Sequence, residues 1–187
     1  MRNPLSQAGI SLIFFALTAC SSFSDFTFYP EASHKPIYDF PPADDARYAK
    51  RLPQYIDTGG EKTILVDPNR HVWGAYGADG NLIRAGLASG GADWCHDIHR
   101  PCHTRPGTFR INFLGDETCI SSLYPIPDGG APMPFCMFFN GNQALHGSPH
   151  VVEGNISHGC VRVRTSDAAW LRYHFVEMGT KIIIKPY

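Results

Sequence analysis

Lys62-Thr63-Ile64-Leu65-Val66 is closed by Pro68-Asn69, and His71-Val72-Trp73-Gly74-Ala75-Tyr76, the turn pair Asp79-Gly80 and then Leu82 to Ser89 follow at once. The three runs are rich in β-branched and aromatic residues, and turn residues bound each one, which predicts strands. Asp-Gly marks a tight hairpin because its glycine takes positive φ without strain. Working outward, Thr108 to Leu114, Cys119 to Tyr124 and Phe135 to Asn140 read as a fourth, fifth and sixth strand, and Thr180 to Lys185, with Ile182-Ile183-Ile184, as a closing buried strand. Many short strands with Gly/Pro punctuation predict a mainly β sandwich or barrel-like domain. One helix is expected near the C-terminus. Ser166 is placed to cap it, Asp167 sits in its first turn, Ala169, Leu171, Tyr173, Phe175 and Val176 include its apolar stripe, and Gly179 suits its end.

The chain has 187 residues, enough for one domain with a core plus a tail. Charged residues make up 18% and the net charge is −1, with no Lys/Arg run longer than a pair. That argues against nucleic acid as a partner, since it requires a concentrated basic face. Residues 1–19 read as a signal segment: Arg2 supplies the positive start, and the apolar run Ile10 to Ala19 is too short to span a bilayer. The run ends in Leu17-Thr18-Ala19-Cys20, which resembles a bacterial lipobox with Cys20 as the lipidated residue. The plainer alternative is an ordinary signal peptide with an incidental cysteine. Ser21 lacks the aspartate seen after many inner-membrane lipid anchors, so the resemblance implies export, a periplasm-facing domain and an outer-membrane anchor. Residues 20–60 hold Pro30, Pro36, Pro41, Pro42 and Pro53 and no sustained period, which reads as a tether. Its aromatics Phe26, Phe28, Tyr29 and Phe40 leave open packing on the domain surface. The domain proper is expected over 61–187.

An exported chain can form disulfides. Six cysteines are present: Cys20, Cys95, Cys102, Cys119, Cys136 and Cys160. With Cys20 lipidated and Cys160 a free nucleophile, four remain, which allow three connectivities. The favoured pairing is Cys95 with Cys102 inside one loop and Cys119 with Cys136 between neighbouring strands. The segment Cys95-His96-Asp97-Ile98-His99-Arg100-Pro101-Cys102-His103 offers zinc ligands as the alternative.

Cys160 lies in Ser157-His158-Gly159-Cys160-Val161-Arg162, downstream of Leu145-His146-Gly147, which reads as a strand end. A thiol attacks as thiolate, and a histidine brought beside it by the fold can act as its base. Gly159 permits close approach of a substrate backbone, and N–H groups of such a turn can hold an oxyanion. From these letters alone, a buried structural cysteine with two unrelated histidines is the stronger reading.

The full pattern resembles the signature of the YkuD-type L,D-transpeptidases: a His-Gly, a spacer, then Ser/Thr-His-Gly-Cys followed by an apolar residue and Arg or Asn. Thr104-Arg105-Pro106-Gly107-Thr108-Phe109 is similar to that family's Thr-Pro-x-Gly-x-Phe turn with one residue inserted. The first hairpin and the closing helix and strand also fit, so the resemblance covers about residues 61–187. It implies a mainly β fold and a peptidoglycan stem peptide as substrate. Cys160 would attack the carbonyl before a terminal D-amino acid, and His146 would take the thiol proton and return it to the leaving amine. A thioester then passes to an amine or to water. N–H groups around Gly159 and Cys160 would hold the oxyanion, an interaction worth roughly 3–4 kcal/mol per donor. It also implies acylation by carbapenems and no metal or cofactor.

The remaining site residues each carry two readings. His158 either orients the thiolate or packs. Ser157 either holds His146 or closes the turn. Arg162 either binds a substrate carboxylate bidentately or forms a structural ion pair. Gly147 lets the chain bend beside the site. The ten-residue spacer between His146 and Ser157 is shorter than in many members, and the Cys95–His103 segment is foreign to the pattern. Closed by a disulfide, that segment would border the substrate groove. Three other functions compete: a carboxypeptidase on the same site, a non-catalytic envelope or peptidoglycan-binding lipoprotein, and a metal-binding module.

Overall fold

In the computed structural model the described residues are 45–187. The expected signal segment, Cys20 and the tether as far as residue 44 lie outside them. The end of the proline-rich stretch packs onto the domain: α1 (Asp45–Ala49) and the chain after it bury Tyr48 and Leu52.

Strand β1 (Thr63–Asp67) shows why the sequence runs almost unbroken in apolar residues there. All five positions are buried, Ile64 and Val66 in the main core and Leu65 in a second cluster with Tyr48, Leu52 and Tyr76. Successive side chains point to opposite faces, so a strand covered on both faces cannot alternate apolar with polar. β2 (Val72–Tyr76) repeats the arrangement, with Trp73 and Ala75 facing the main core. β3 (Leu82–Ser89) follows through the expected Asp79-Gly80 turn, where Gly80 has φ +82°.

Nine strands form one curled sheet in the order β4-β9-β1-β2-β3-β8-β7-β6-β5. β1–β9 and β7–β8 are parallel and the other pairs antiparallel. The fold is mainly β and barrel-like, as expected, with one sheet curled into a half-barrel in place of a two-sheet sandwich. The sixth expected strand is β6 (Met137–Asn140) and the closing one is β9 (Lys181–Ile184).

Four details correct the sequence reading. The expected fourth strand divides into β4 (Gly107–Arg110) and β5 (Phe113–Leu114). Between them the chain changes partner: the Ile111 N–H reaches Thr180 O beside β9, and the Asn112 N–H reaches Phe138 O on β6. Cys119 to Tyr124 is not a strand; it makes one isolated bridge, Ile120 with Pro132. Pro125, Pro127, Pro132 and Pro134 crowd the segment that would pair with it and lack the N–H groups a ladder needs. Two strands lie outside the expected ranges: β7 (Gln143–Ser148), of which only the end at Leu145-His146-Gly147 is expected, because His146 and Gly147 interrupt its apolar letters, and β8 (Val161–Arg164), where arginines alternate with only two valines.

The helix also differs. α2 (Thr165–Trp170) continues as a π-helical turn, Leu171–Phe175, and stops short of Gly179. Arg164, not Ser166, is at the N-cap, and no side chain caps it. Val176 turns extended, and residues 177–180 close a separate turn in which the Glu177 N–H is held by Thr180 Oγ1 at 2.9 Å. Asp167 is buried against Arg84 (3.2 Å), whose guanidinium lies 5.0 Å from the Trp170 ring centroid.

Candidate active site

β7 and β8 run parallel with His146 opposite Arg162. Side chains two apart share a face, so Cys160, just before β8, lies on the His146–Arg162 side while Leu145, Val161 and Val163 enter the core. The expected pair and Arg162 therefore stand together on one surface because the two strands are in this register. All three line a cavity of about 620 Å³, a size suited to a short peptide segment.

The Cys160 turn is held by Ser157. Its buried hydroxyl donates to Cys160 O and accepts the Gly159 N–H at 3.1 Å. Ser157 thus closes the turn. Gly159 has φ +122°, a conformation that favours glycine, and a Cβ there would sit 3.1 Å from Gln143 Nε2 and press on that side-chain amide. With the Gly159 N–H taken, the His158 and Cys160 N–H groups are the turn's donors without a protein acceptor among the described residues, and the Cys160 N–H is the one beside the thiol. The Ser157 backbone is itself fixed to residues 90–92: its N–H reaches Gly90 O and its carbonyl accepts from Ala92.

Gly147 serves close approach rather than a bend. It sits mid-strand opposite Val163, and a Cβ would lie 3.0 Å from Thr165 Cα and 3.1 Å from Pro134 O.

The electrostatics follow from burial. His146 Nδ1 is 2.9 Å from Gly147 O. A carbonyl only accepts, so Nδ1 carries the hydrogen and Nε2 is left as the basic nitrogen. Burial holds the His146 pKa down to about 4; the Gly147 carbonyl opposes this and the Arg162 charge adds to it. Burial pushes the Cys160 thiol up, against the pull of the Ala144 N–H and Arg162. At neutral pH the two side chains are therefore a neutral thiol and a neutral imidazole. Sγ accepts from the Ala144 N–H at 3.4 Å and donates to Asn142 O at 3.6 Å.

The Cys95–Cys102 and Cys119–Cys136 disulfides are both formed, and Cys160 is the free cysteine among the described residues. With Cys95 oxidised, the zinc alternative loses its thiolate. The Cys95–Cys102 loop is fastened to the active turn: Asp97 Oδ2 lies 2.7 Å from His158 Nε2, and this contact lowers the Asp97 pKa. The His158 ring in turn packs 4.5 Å from that of Tyr124. His158 is thus a strut between the turn and the two disulfide-closed walls. Sequence reasoning missed Tyr124 and Tyr187. Tyr187 Oη donates to Gly91 O at 2.9 Å and accepts the Thr104 N–H at 2.7 Å, and its ring stacks on His103. Arg100 lies in the Cys95–His103 segment expected to border the groove, and it does line the cavity; Tyr124 and Tyr187 carry no local pattern, since they act through tertiary placement.

The family description "L,D-transpeptidase catalytic domain", YkuD type, matches residues 61–184.

The chain belongs to the YkuD-type L,D-transpeptidase family.

Solved structures agree on the fold. An L,D-transpeptidase from Xylanimonas cellulosilytica matches at 24% identity and TM-score 0.61, over 73% of this chain and 66% of that one. One from Mycobacterium smegmatis matches at 23% and 0.55, over 67% and 59%. L,D-transpeptidase 3 from Mycobacterium tuberculosis, in complex with a faropenem-derived adduct, matches at 18% and 0.54, over 67% and 60%. This chain thus spans less than two thirds of the length of these L,D-transpeptidase chains. No curated protein matches the sequence. The match at 61–184 takes in His146, the Cys160 turn and the Cys95–Cys102 loop that braces it.

Proposed function

We propose that this YkuD-type domain is a cysteine-dependent peptidoglycan L,D-transpeptidase, with Cys160 as nucleophile and His146 as general base and acid. The observation that carries this reading is the shared cavity. It brings a free thiol, an imidazole with its basic nitrogen unblocked and an uncommitted backbone N–H onto one surface. In the resting state the thiol hydrogen points at Asn142 O. Attack requires a turn about the Cys160 side chain that brings this hydrogen to His146 Nε2. Sulfur then bonds to the carbonyl carbon before the terminal D-residue, and the Cys160 N–H holds the oxyanion. On collapse the C–N bond breaks, His146 returns the proton to the departing amine, and a thioester remains. An acceptor amine attacks it, His146 again takes the proton, and the thiol is released. Arg162 binds the terminal carboxylate of the donor, a role supported by its place in the cavity with no carboxylate partner among the described residues.

The protein is proposed to work as an exported lipoprotein of the ErfK/YbiS-like kind, anchored through Cys20 to the outer membrane and facing the periplasm. The sequence Leu17-Thr18-Ala19-Cys20-Ser21 supports this, and two disulfides accord with an oxidising compartment. Incubation with a disaccharide tetrapeptide tests the activity. Cross-linked dimer that disappears with Cys160→Ala supports transfer, tripeptide alone supports hydrolysis, and unchanged substrate contradicts both.

A further inference from the structure

The groove carries a charge pattern of which the acyl-transfer reading uses only Arg162. No aspartate or glutamate lines it, while two arginines do, Arg100 and Arg162, in a chain whose net charge is −1. A guanidinium left without a carboxylate in a concave site selects for anions. Arg162 lies beside the thiol on β8. Arg100 comes from the Cys95–Cys102 loop, the segment that departs from the family pattern.

Arg100 is exposed, but its backbone is firmly held. Its backbone is bridged to Cys95 by two hydrogen bonds, at 2.9 Å and 3.4 Å. The disulfide closes the loop two residues further on, the Cys102 N–H is held by Ala92 O, and Asp97 ties the loop to His158. The side chain is thereby aimed from a stiff base, which lowers the entropic cost of engaging an anion. Its one polar side-chain contact among the described residues is with Tyr124, Nη2 to Oη at 3.4 Å. There the guanidinium donates and the phenol oxygen accepts, so the phenol hydrogen remains available to the same anion.

We propose that Arg100, with the Tyr124 hydroxyl, is a specificity-determining subsite for a second carboxylate of the peptide substrate, separate from the terminal one assigned to Arg162. The proposal rests on the peptide acyl-transfer reading above. Two carboxylates of a stem peptide have the required chemistry: the distal carboxylate of a diamino acid, and the α-carboxylate of a γ-linked acidic residue preceding it.

Steady-state kinetics on three tetrapeptides test it: one with both carboxylates free and a meso-diaminopimelate third residue, one amidated at its distal carboxylate, and one amidated at the acidic residue. On the free peptide Arg100→Ala raises KM roughly ten- to a hundredfold, as expected for loss of a charge-assisted pair, with the main effect on KM rather than kcat. Arg100→Lys, which keeps the charge but not the fork, recovers part of this. Coupling is the decisive readout, because a merely structural role for Arg100 is blind to peptide amidation. On whichever amidated peptide has lost the group that Arg100 reads, the penalty of Arg100→Ala falls to less than about threefold. A penalty that is the same on all three peptides, or is absent, or falls on kcat alone, overturns the subsite. Failure of the wild type to turn over any of the peptides, with Cys160 unacylated in the mass spectrum, overturns the acyl-transfer reading itself.

Discussion

Acidification to about pH 5 should leave acylation of this protein almost untouched. The reason is the burial of His146 on β7, which brings its pKa down to about 4 from 6.5. At about pH 5 such a group is roughly nine-tenths neutral, whereas an imidazole at its ordinary value would be only about 3% neutral, a difference of roughly thirtyfold in competent base. The thiol, pushed above its ordinary value by burial, stays protonated over the same range, so no thiolate–imidazolium pair interferes. The assay is the second-order rate of β-lactam acylation, followed by loss of ring absorbance across the acid range; like kcat/KM, it reports the free protein. A plateau with its acid limb near 4 is expected. An inflection near 6.5 would refute the neutral pair. The same burial has a stability counterpart. The unfolded chain binds a proton at His146 below about 6.5 and the folded chain does so only below about 4. Stability is therefore complete above 6.5 and declines as pH falls towards 4, by roughly 3 kcal/mol from this group.

Three other outcomes follow from the packing. Gly159→Ala forces a side chain into φ +122° against Gln143; it should cost about 1–3 kcal/mol in chemical denaturation and lower the acylation rate sharply. Asp167→Ala leaves the Arg84 guanidinium buried without its carboxylate, with the two side chains only 9% and 6% exposed; a loss of about 3–5 kcal/mol is expected, read as a fall in the denaturation midpoint, with the site chemistry intact. Replacing Cys95 and Cys102 by serine should cost about 2–3 kcal/mol and raise KM for peptide more than it lowers kcat, because the loop carries Asp97 and Arg100.

The parts of the fold that were legible in the sequence are those where local chemistry and tertiary packing agree. Ile64, Leu65 and Val66 sit in a doubly covered strand, so their apolar run is itself the burial pattern. Asp79-Gly80 carries its turn in its own backbone preference. The end of β7 was legible at Leu145-His146-Gly147, but its extent and β8 were not, since His146, Gly147 and Arg162 are there for the cavity and for close packing against Pro134 and Thr165. Cys119 to Tyr124 misled in the other direction: its letters favour a strand, but the neighbouring prolines remove the ladder donors. Helix α2 was found, yet its end was not: the helix closes in a π-helical turn across which Trp170 stacks on Phe175, ahead of the glycine expected to cap it. Within the site, the motif residues were visible as letters. Their bracing by Asp97, Tyr124 and Tyr187 exists only once distant loops meet.

The central claim is that Cys160 is a nucleophile that carries an acyl group. Intact-mass measurement after exposure to a carbapenem tests it most directly, since β-lactam opening by a thiol uses the same attack. One covalent adduct on the wild type, mapped to Cys160 and absent from Cys160→Ala, is the predicted result. A wild type whose mass does not change, or an adduct that persists in Cys160→Ala, would contradict it.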